Sequence, residues 1–419
     1  MKILYLCADA GIPVLGHKGA SVHVRELVAA FVRAGHHVTL ATPLLNKSPW
    51  EQPQPFAGTL LHLRLSSSAQ SAVLAAKEFI ATLDIPSSLS SDLRRILYNR
   101  ELETELRRRF ATEPPDFIYE RASLYGTAGA GLARALKVPF LLELNAPLAL
   151  EQSTYRTGGF SELAAKAERL TLAAADAVFA VSAPVREHVL ALGIDAAKVC
   201  VCPNGVDPVL FQPGPPDAAW RTRLGLGKGP VIGFVGGLRP WHGVELLPEL
   251  VERLSKIHPG LQLIIVGDGQ LRGDIEHSLL ARGLADRAVF TGAVAHNDMP
   301  AIIRQFDVAL APYPRLDHAF YFSPLKLFEY MACGVAVVAA NCGQVAEIVR
   351  NDENGLLYEP GQIDGLTEAC ERLLAQPKLR FALGHAAAGI IRSHYTWDQN
   401  AQRVTELAAS LIDRKKHPA

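Results

Sequence analysis

Phe320-Tyr321-Phe322-Ser323-Pro324-Leu325-Lys326-Leu327-Phe328-Glu329-Tyr330-Met331-Ala332-Cys333-Gly334, followed by the apolar run Val335 to Ala340, is the stretch whose reading decides the fold. Ser323 suits a helix cap, Pro324 a first turn with no N–H to lose, and Gly334 a stop, which predicts one short helix between two loops. Leu325, Phe328 and Ala332 fall at i, i+3 and i+7 and form a face that packs on a sheet. Lys326 and Glu329 share a different face at i, i+3 and read either as a weak surface ion pair or as part of a site. Position favours the site. A helix start with free N–H groups beside a cation binds anions. The preceding run from Asp307 to Pro314 reads as a buried strand ending in a Pro-rich loop, so the helix start lies near the carboxyl end of a parallel strand, where open α/β sheets collect ligands.

The composition sets bounds on the rest. A chain of 419 residues outgrows one core and implies two or three domains. With 49% hydrophobic and 20% charged residues it has the make-up of an ordinary globular protein, and a formal net charge of zero offers no field for nucleic acid, which is not expected as a partner. Six cysteines are scattered through apolar segments. Only Cys200 and Cys202 are close, at a spacing that suits strand alternation and not zinc, so free thiols in a reducing compartment and no metal site are expected. Met1-Lys2 runs straight into an apolar strand, and no apolar run reaches the ~20 residues of a membrane span, which points to the cytoplasm or the inner face of its membrane.

The N-terminal half alternates strand and helix. Ile3 to Cys7 reads as a strand, Val22 to Ala34 as a helix and His37 to Ala41 as the next strand, the start of a doubly wound sheet. The glycines at 11, 16 and 19 are too widely spaced for a dinucleotide fingerprint, which counts against a dehydrogenase. Leu60 to Leu65 is a third strand candidate, and Ser66 to Thr112 reads as helical, with arginines and acids interleaved over 90–112. That face is either a mixed-sign solvated surface or a peripheral membrane contact. Phe117 to Tyr119, Phe140 to Leu144 and Ala177 to Val181 are further strands. The second ends in Glu143-Leu144-Asn145, and Glu120-Arg121 follows the first, at the edge where such sheets place ligands. Glu143 and Asn145 either handle a substrate proton or satisfy loop backbone groups; an amide cannot act as a base near neutral pH.

"FSPLKLFEYMACG" resembles the donor-sugar helix of retaining glycosyltransferases of family 4, which have the GT-B fold of two facing Rossmann-like domains. In that family a Glu, seven residues and a second Glu recur, and the second binds the ribose hydroxyls of a nucleotide sugar. Glu329 matches it, while Tyr321 stands where the first Glu would be. "GHKGASVHV" is similar to the family's Gly-rich loop, with Gly19 at the position that lets backbone approach the donor and His23 one turn on; as residues alone, Gly19 is also a plain turn glycine. Asn145 replaces a His common in the family, which leaves Glu143 as the candidate for the acceptor's proton. "NGVD" at 204–207 resembles the hinge between the domains, and the prolines from Gln212 to Asp217 mark a linker.

The second half repeats the alternation. Val231 to Val235 ends in Gly236-Gly237-Leu238-Arg239-Pro240-Trp241-His242, where the family usually has an Arg and a Lys reaching the diphosphate. Here Gly237 and His242 hold those places, and Arg239 is expected to take over from a shifted position. Leu261 to Val266 leads into Gly267-Asp268-Gly269, whose glycines allow a base or phosphate close to backbone. A departing diphosphate gains negative charge. Lys326 and Arg239 are the expected cations, with His242 adding most when protonated.

The fold class expected is α/β: two Rossmann-like doubly wound parallel-sheet domains facing across a cleft, 1–205 for the acceptor and 206–394 for the nucleotide sugar, with the helix at 395–419 packing back on the first. The resemblance implies metal-independent, retaining transfer of a hexosyl unit from a UDP- or GDP-linked sugar to a glycan or lipid-linked acceptor, with no resident cofactor. Lys326, Arg239, Glu143 and Asn145 are the expected catalytic residues. Gly19, Gly237, His242, Gly267, Gly269, Ser323, Pro324, Leu325 and Glu329 are expected at the donor, and His23 and Arg121 at the acceptor. A nucleotide-sugar epimerase and a catalytically silent nucleotide-sugar-binding protein are the alternatives.

Overall fold

A computed structural model describes residues 1–47, 53–85, 87–155 and 160–417. The chain opens with β1 (Lys2–Cys7), α1 (Gly19–Arg33), β2 (His37–Thr42), β3 (Thr59–His62), α2 (Ser67–Leu83), α3 (Leu89–Arg109), β4 (Phe117–Arg121) and α4 (Ala128–Leu136). It continues through β5 (Phe140–Leu144), α5 (Leu148–Tyr155), α6 (Ser161–Ala174), β6 (Ala177–Ala180), α7 (Ala183–Ala191) and β7 (Val199–Val201). The second half comprises α8 (Ala218–Arg223), β8 (Val231–Val235), α9 (Leu247–Ser255), β9 (Gln262–Val266), α10 (Arg272–Ala281), β10 (Ala288–Gly292), α11 (Met299–Ile303) and β11 (Val308–Ala311). The last elements are α12 (Leu325–Ala332), β12 (Ala336–Ala340), α13 (Gly343–Ile348), β13 (Leu356–Tyr358), α14 (Ile363–Ala375), α15 (Pro377–His394) and α16 (Trp397–Lys416).

Two parallel sheets organise the chain: seven strands in the order β3-β2-β1-β4-β5-β6-β7 and six in the order β10-β9-β8-β11-β12-β13. Both are Rossmann-like, winding one way from the first strand and then back. Helices cover both faces of such sheets, which is why β1, β5, β8, β11 and β12 are near-continuous apolar runs, with β8, β11 and β12 buried throughout. The packing separates Met1–Pro203 with Asp398–Ala419 from Asn204–Trp397. Within the first unit, α16 is tied down by Asp398 to Arg33, by the Asn400 amide to the Pro203 carbonyl and by Lys415 to Asp176. Residues 418 and 419 of the expected terminal helix lie outside the described residues.

The stretch from 66 to 112 holds two helices. Ser66 caps α2 by accepting from the Ala69 amide at 3.2 Å, and α2 ends at Asp84 in the left-handed region, φ 48°. α3 buries Asp92, Tyr98, Leu102 and Leu106. Its outer side pairs Arg108 and Arg109 with Glu105, and Arg100 with Glu103, a mixed-sign face largely neutralised within the helix.

α12 also departs from the reading of its sequence. It starts at Leu325 with Pro324 at the cap and no side-chain cap bond. The Ser323 hydroxyl instead accepts from the Asn204 backbone at 2.9 Å, so this residue anchors the start of the second unit. The amphipathic face is too narrow a description: Leu327, Phe328, Tyr330 and Met331 are all inaccessible, and Lys326 and Glu329 are only 8% and 7% exposed. The Tyr330 hydroxyl accepts from the Val235 amide at 2.6 Å, which pins α12 to the end of β8.

Candidate functional site

In the second unit the strand order reverses between β8 and β11, and the loops leaving these two strands bound the crevice where an open α/β sheet binds ligands. The β8 loop turns at Gly236 with φ +141°, and the β9 loop at Gly267 with φ +131°. A Cβ on Gly267 would stand 2.1 Å from the Gly236 carbonyl oxygen, so only glycine permits these two loops to lie together. The lacing continues outward, with the Leu238 amide donating to the Asp268 carbonyl at 3.1 Å and no space for a Cβ on Gly269 beside Leu238. Gly267 and Gly269 therefore allow the two loops to pack closely. Gly237 has no close neighbour at its Cβ position and borders the crevice.

Lys326, in the first turn of α12, points its ammonium into this crevice. Its Nζ has no hydrogen-bond partner, lies 4.1 Å from the Phe234 ring centroid and 5.5 Å from that of Tyr313, and fills the space a Cβ on Gly236 would need. Burial pulls its pKa from the usual lysine range down to about 7, partly offset by the Glu329 carboxylate. Lys326 and Glu329 form no ion pair among the described contacts, which removes the surface-pair reading of that spacing. Helix geometry leaves the first amides of α12 without intrahelical acceptors beside this lysine. Leu325, half-buried, and Pro324, buried, form the rim.

The other cations differ from expectation. His242 packs among Phe234, Trp241 and Tyr313 and donates from Nδ1 to the Gly237 carbonyl at 2.5 Å. Burial first and the Lys326 charge second push its pKa down to about 3, so it is neutral near pH 7 and supplies no cationic charge. Arg239 is exposed, donates to Gln270 at 2.7 Å and lies over Trp241 at 6.0 Å. Glu329 meets a residue the sequence reading passed over. His296 Nε2 donates to its Oε1 at 3.2 Å, and the imidazole packs on Phe211 at 5.1 Å between ring centroids.

In the first unit the reversal falls between β1 and β4. Gly19 is the exposed first residue of α1, after a loop held by Arg25, whose Nη1 donates to the carbonyls of Val14 at 2.8 Å and Gly16 at 2.6 Å. Glu143, ending in a buried carboxylate, gathers four donors. His23 Nε2 lies at 2.9 Å, the Tyr119 hydroxyl at 2.6 Å, Arg121 Nη1 at 2.8 Å, and the Asn145 amide is bonded to the same Oε1 as Arg121. Burial alone would raise its pKa, but His23, Arg121 and Tyr119 outweigh burial and hold it well below the usual carboxylate range. A carboxylate so stabilised is a poor proton acceptor. The structure turns His23 and Arg121 inward to Glu143, which makes this carboxylate an anchor for its neighbours.

Phe234, Tyr313, His296 and Tyr119 escaped the sequence reading because each meets its partner from a different strand or loop, and a lone aromatic carries no signal of what it faces. Among the described residues no group of three or more His, Cys, Asp or Glu side chains is placed to hold a metal ion, and no helix is long and apolar enough to cross a membrane.

Two family models match the chain: "Glycosyltransferase Family 4" over residues 17–210 and "Glycosyl transferases group 1" over residues 229–376. The 2-deoxystreptamine glucosyltransferase of Streptomyces kanamyceticus is 31% identical over 226 residues, 49% of this chain and 57% of the relative. The GDP-mannose-dependent alpha-(1-6)-phosphatidylinositol monomannoside mannosyltransferase of Mycolicibacterium smegmatis is 30% identical over 245 residues, 58% of this chain and 64% of the relative. The chain thus aligns with about three fifths of the length of these relatives. Among solved structures, sucrose-phosphate synthase of Thermosynechococcus elongatus superposes with a TM-score of 0.75 at 20% identity, covering 99% of this chain and 100% of that one. Anabaena HepE in complex with UDP-glucose superposes with a TM-score of 0.71 at 21% identity, covering 98% of this chain and 100% of that one. Two parallel sheets of Rossmann-like order and these neighbours show that the chain has the GT-B fold, and the two matched models, each over less than half of the chain, describe glycosyltransferases.

Proposed function

We propose that this protein is a retaining hexosyltransferase that moves a sugar from a UDP- or GDP-linked donor to a glycan or lipid-linked acceptor without a metal. The observation that carries the reading is the Lys326 ammonium, buried without a hydrogen-bond partner at the amino end of α12 and the carboxyl end of β8. An unpartnered buried cation is costly, and a diphosphate is the ligand chemistry that would offset the cost. The second unit holds the donor. Glu329 accepts from the ribose hydroxyls, while Lys326, the first amides of α12 and Arg239 stabilise the charge that grows on the departing diphosphate.

In the transfer, the bond from the anomeric carbon to the diphosphate oxygen breaks and a bond from the same carbon to the acceptor oxygen forms on the same face. The acceptor's proton passes to the leaving phosphate. Glu143 has no part in that step; it anchors His23, Arg121, Tyr119 and Asn145 in the acceptor-binding unit. Both donor bases stay in the proposal, since one relative is named for GDP-mannose and one structural neighbour is complexed with UDP-glucose.

The test is nucleoside diphosphate release from several UDP- and GDP-linked sugars, with and without lipid-linked acceptors, followed by assignment of the product anomer. Release that needs an acceptor and keeps the donor's anomeric configuration supports the reading. Epimerised sugar without acceptor would assign an epimerase, and binding without turnover a silent binder.

A further inference from the structure

We infer that His296 is the positioning residue for Glu329, and that through this carboxylate it sets the protein's preference for a ribose over a deoxyribose nucleotide. The inference rests on Glu329 being the ribose ligand and adds the residue that makes it selective. Glu329 is on α12 and His296 in the turn that follows β10, so two separate loops of the sheet converge on one carboxylate. The Nε2–H donates to Oε1 at 3.2 Å, with the side chains only 11% and 9% exposed. Phe211 packs on the imidazole at 5.1 Å and restricts its rotation.

A carboxylate on a flexible side chain can turn about its last torsion, which is broad and has no sharp staggered minima. One that is to accept from neighbouring ribose hydroxyls needs its plane fixed beforehand, since ordering it on binding would cost affinity. Donation to Oε1 fixes that plane and leaves the other oxygen to the ligand. Without a ligand hydroxyl there, a buried carboxylate oxygen loses a partner, and this is the physical origin of selectivity.

The experiment is calorimetric titration of the full chain with UDP and GDP and with their 2′-deoxy and 2′,3′-dideoxy counterparts. The unsubstituted protein is expected to bind the ribonucleotide about tenfold more tightly than the deoxy form. His296→Ala should abolish that preference while barely changing deoxynucleotide affinity, and His296→Gln should restore it, because the glutamine amide can reach the place of Nε2. Glu329→Ala should also abolish it, and the double variant should lose nothing further. Affinity that falls equally for both sugars in His296→Ala, with the preference intact, would reduce the pair to a structural contact and overturn the inference. Should His296→Ala fail to fold, loss of the preference in His296→Gln overturns it equally. Binding without ribose preference in the unsubstituted protein refutes this inference and leaves the diphosphate reading standing, whereas failure to bind either nucleotide removes both.

Discussion

The Nζ of Lys326 stands 4.1 Å from the centre of the Phe234 ring, with Tyr313 on another side at 5.5 Å and no hydrogen-bond acceptor. Two ring faces attract a cation, yet they replace only part of its hydration. The balance leaves an amine that titrates at about 7, half charged where most enzymes work.

Diphosphate binding should therefore take up a proton. UDP or GDP affinity is expected to fall as pH rises through about 7, where the free protein loses the Lys326 charge. Titrations in buffers of different ionisation enthalpy would measure that uptake, and Lys326→Met should eliminate it.

The same lysine lowers the stability of the free protein. Its folded pKa lies below the unfolded one, so between about pH 7 and 10.5 the unfolded chain holds more protons and stability rises with pH. Lys326→Met should raise the melting temperature at pH 7 and flatten that rise, while turnover collapses. Scanning calorimetry at pH 7 and 9 gives the comparison.

Glu120 titrates in the opposite sense. Its carboxyl is wholly buried, takes the space left open by Gly129, has neither oxygen hydrogen-bonded and is pushed up to about 8 by burial. The folded chain keeps this proton where the unfolded chain has lost it, so stability drops from about pH 4.5 to about 8 and levels off above. Glu120→Gln should abolish that fall and raise the urea midpoint at pH 9 more than at pH 5.

Glu143→Gln should cost about 3–5 kcal/mol of stability, because removing one charge leaves Arg121 buried without its counter-charge. Its contribution is present above the ordinary carboxylate range and disappears as acid protonates the folded group. Were Glu143 a base, the variant would instead lose turnover at unchanged melting temperature.

Gly267→Ala tests the laced loops. With φ +131° and a carbonyl oxygen 2.1 Å from the new methyl, the backbone has to move, at a cost of about 1–3 kcal/mol. Chemical denaturation should show the loss, and UDP or GDP affinity should fall with it because the Gly236 turn borders Lys326.

Much of this molecule was legible in order. The strands from Val231 and Phe140 carry bounds that coincide with their apolar runs, because a strand covered on both faces leaves no alternative pattern. Ends were harder. Ser323 has every local qualification for a cap and spends its oxygen on Asn204 instead, since a backbone amide 119 positions away competes for it. His242 had the right place for a cation and lost its charge to burial beside a second cation.

The sequence by itself determined the alternation of strands and helices and the placing of Lys326 and Glu329 on one short helix, because these follow from side-chain period, turn chemistry and spacing along the chain, whereas the order of strands within each sheet is set by tertiary pairing. Tertiary structure alone decided which groups carry charge and which are already engaged. Lys326 at about 7, His242 at about 3 and a Glu143 holding four donors are consequences of desolvation and of neighbours brought in from distant strands, and neither is encoded in local spacing.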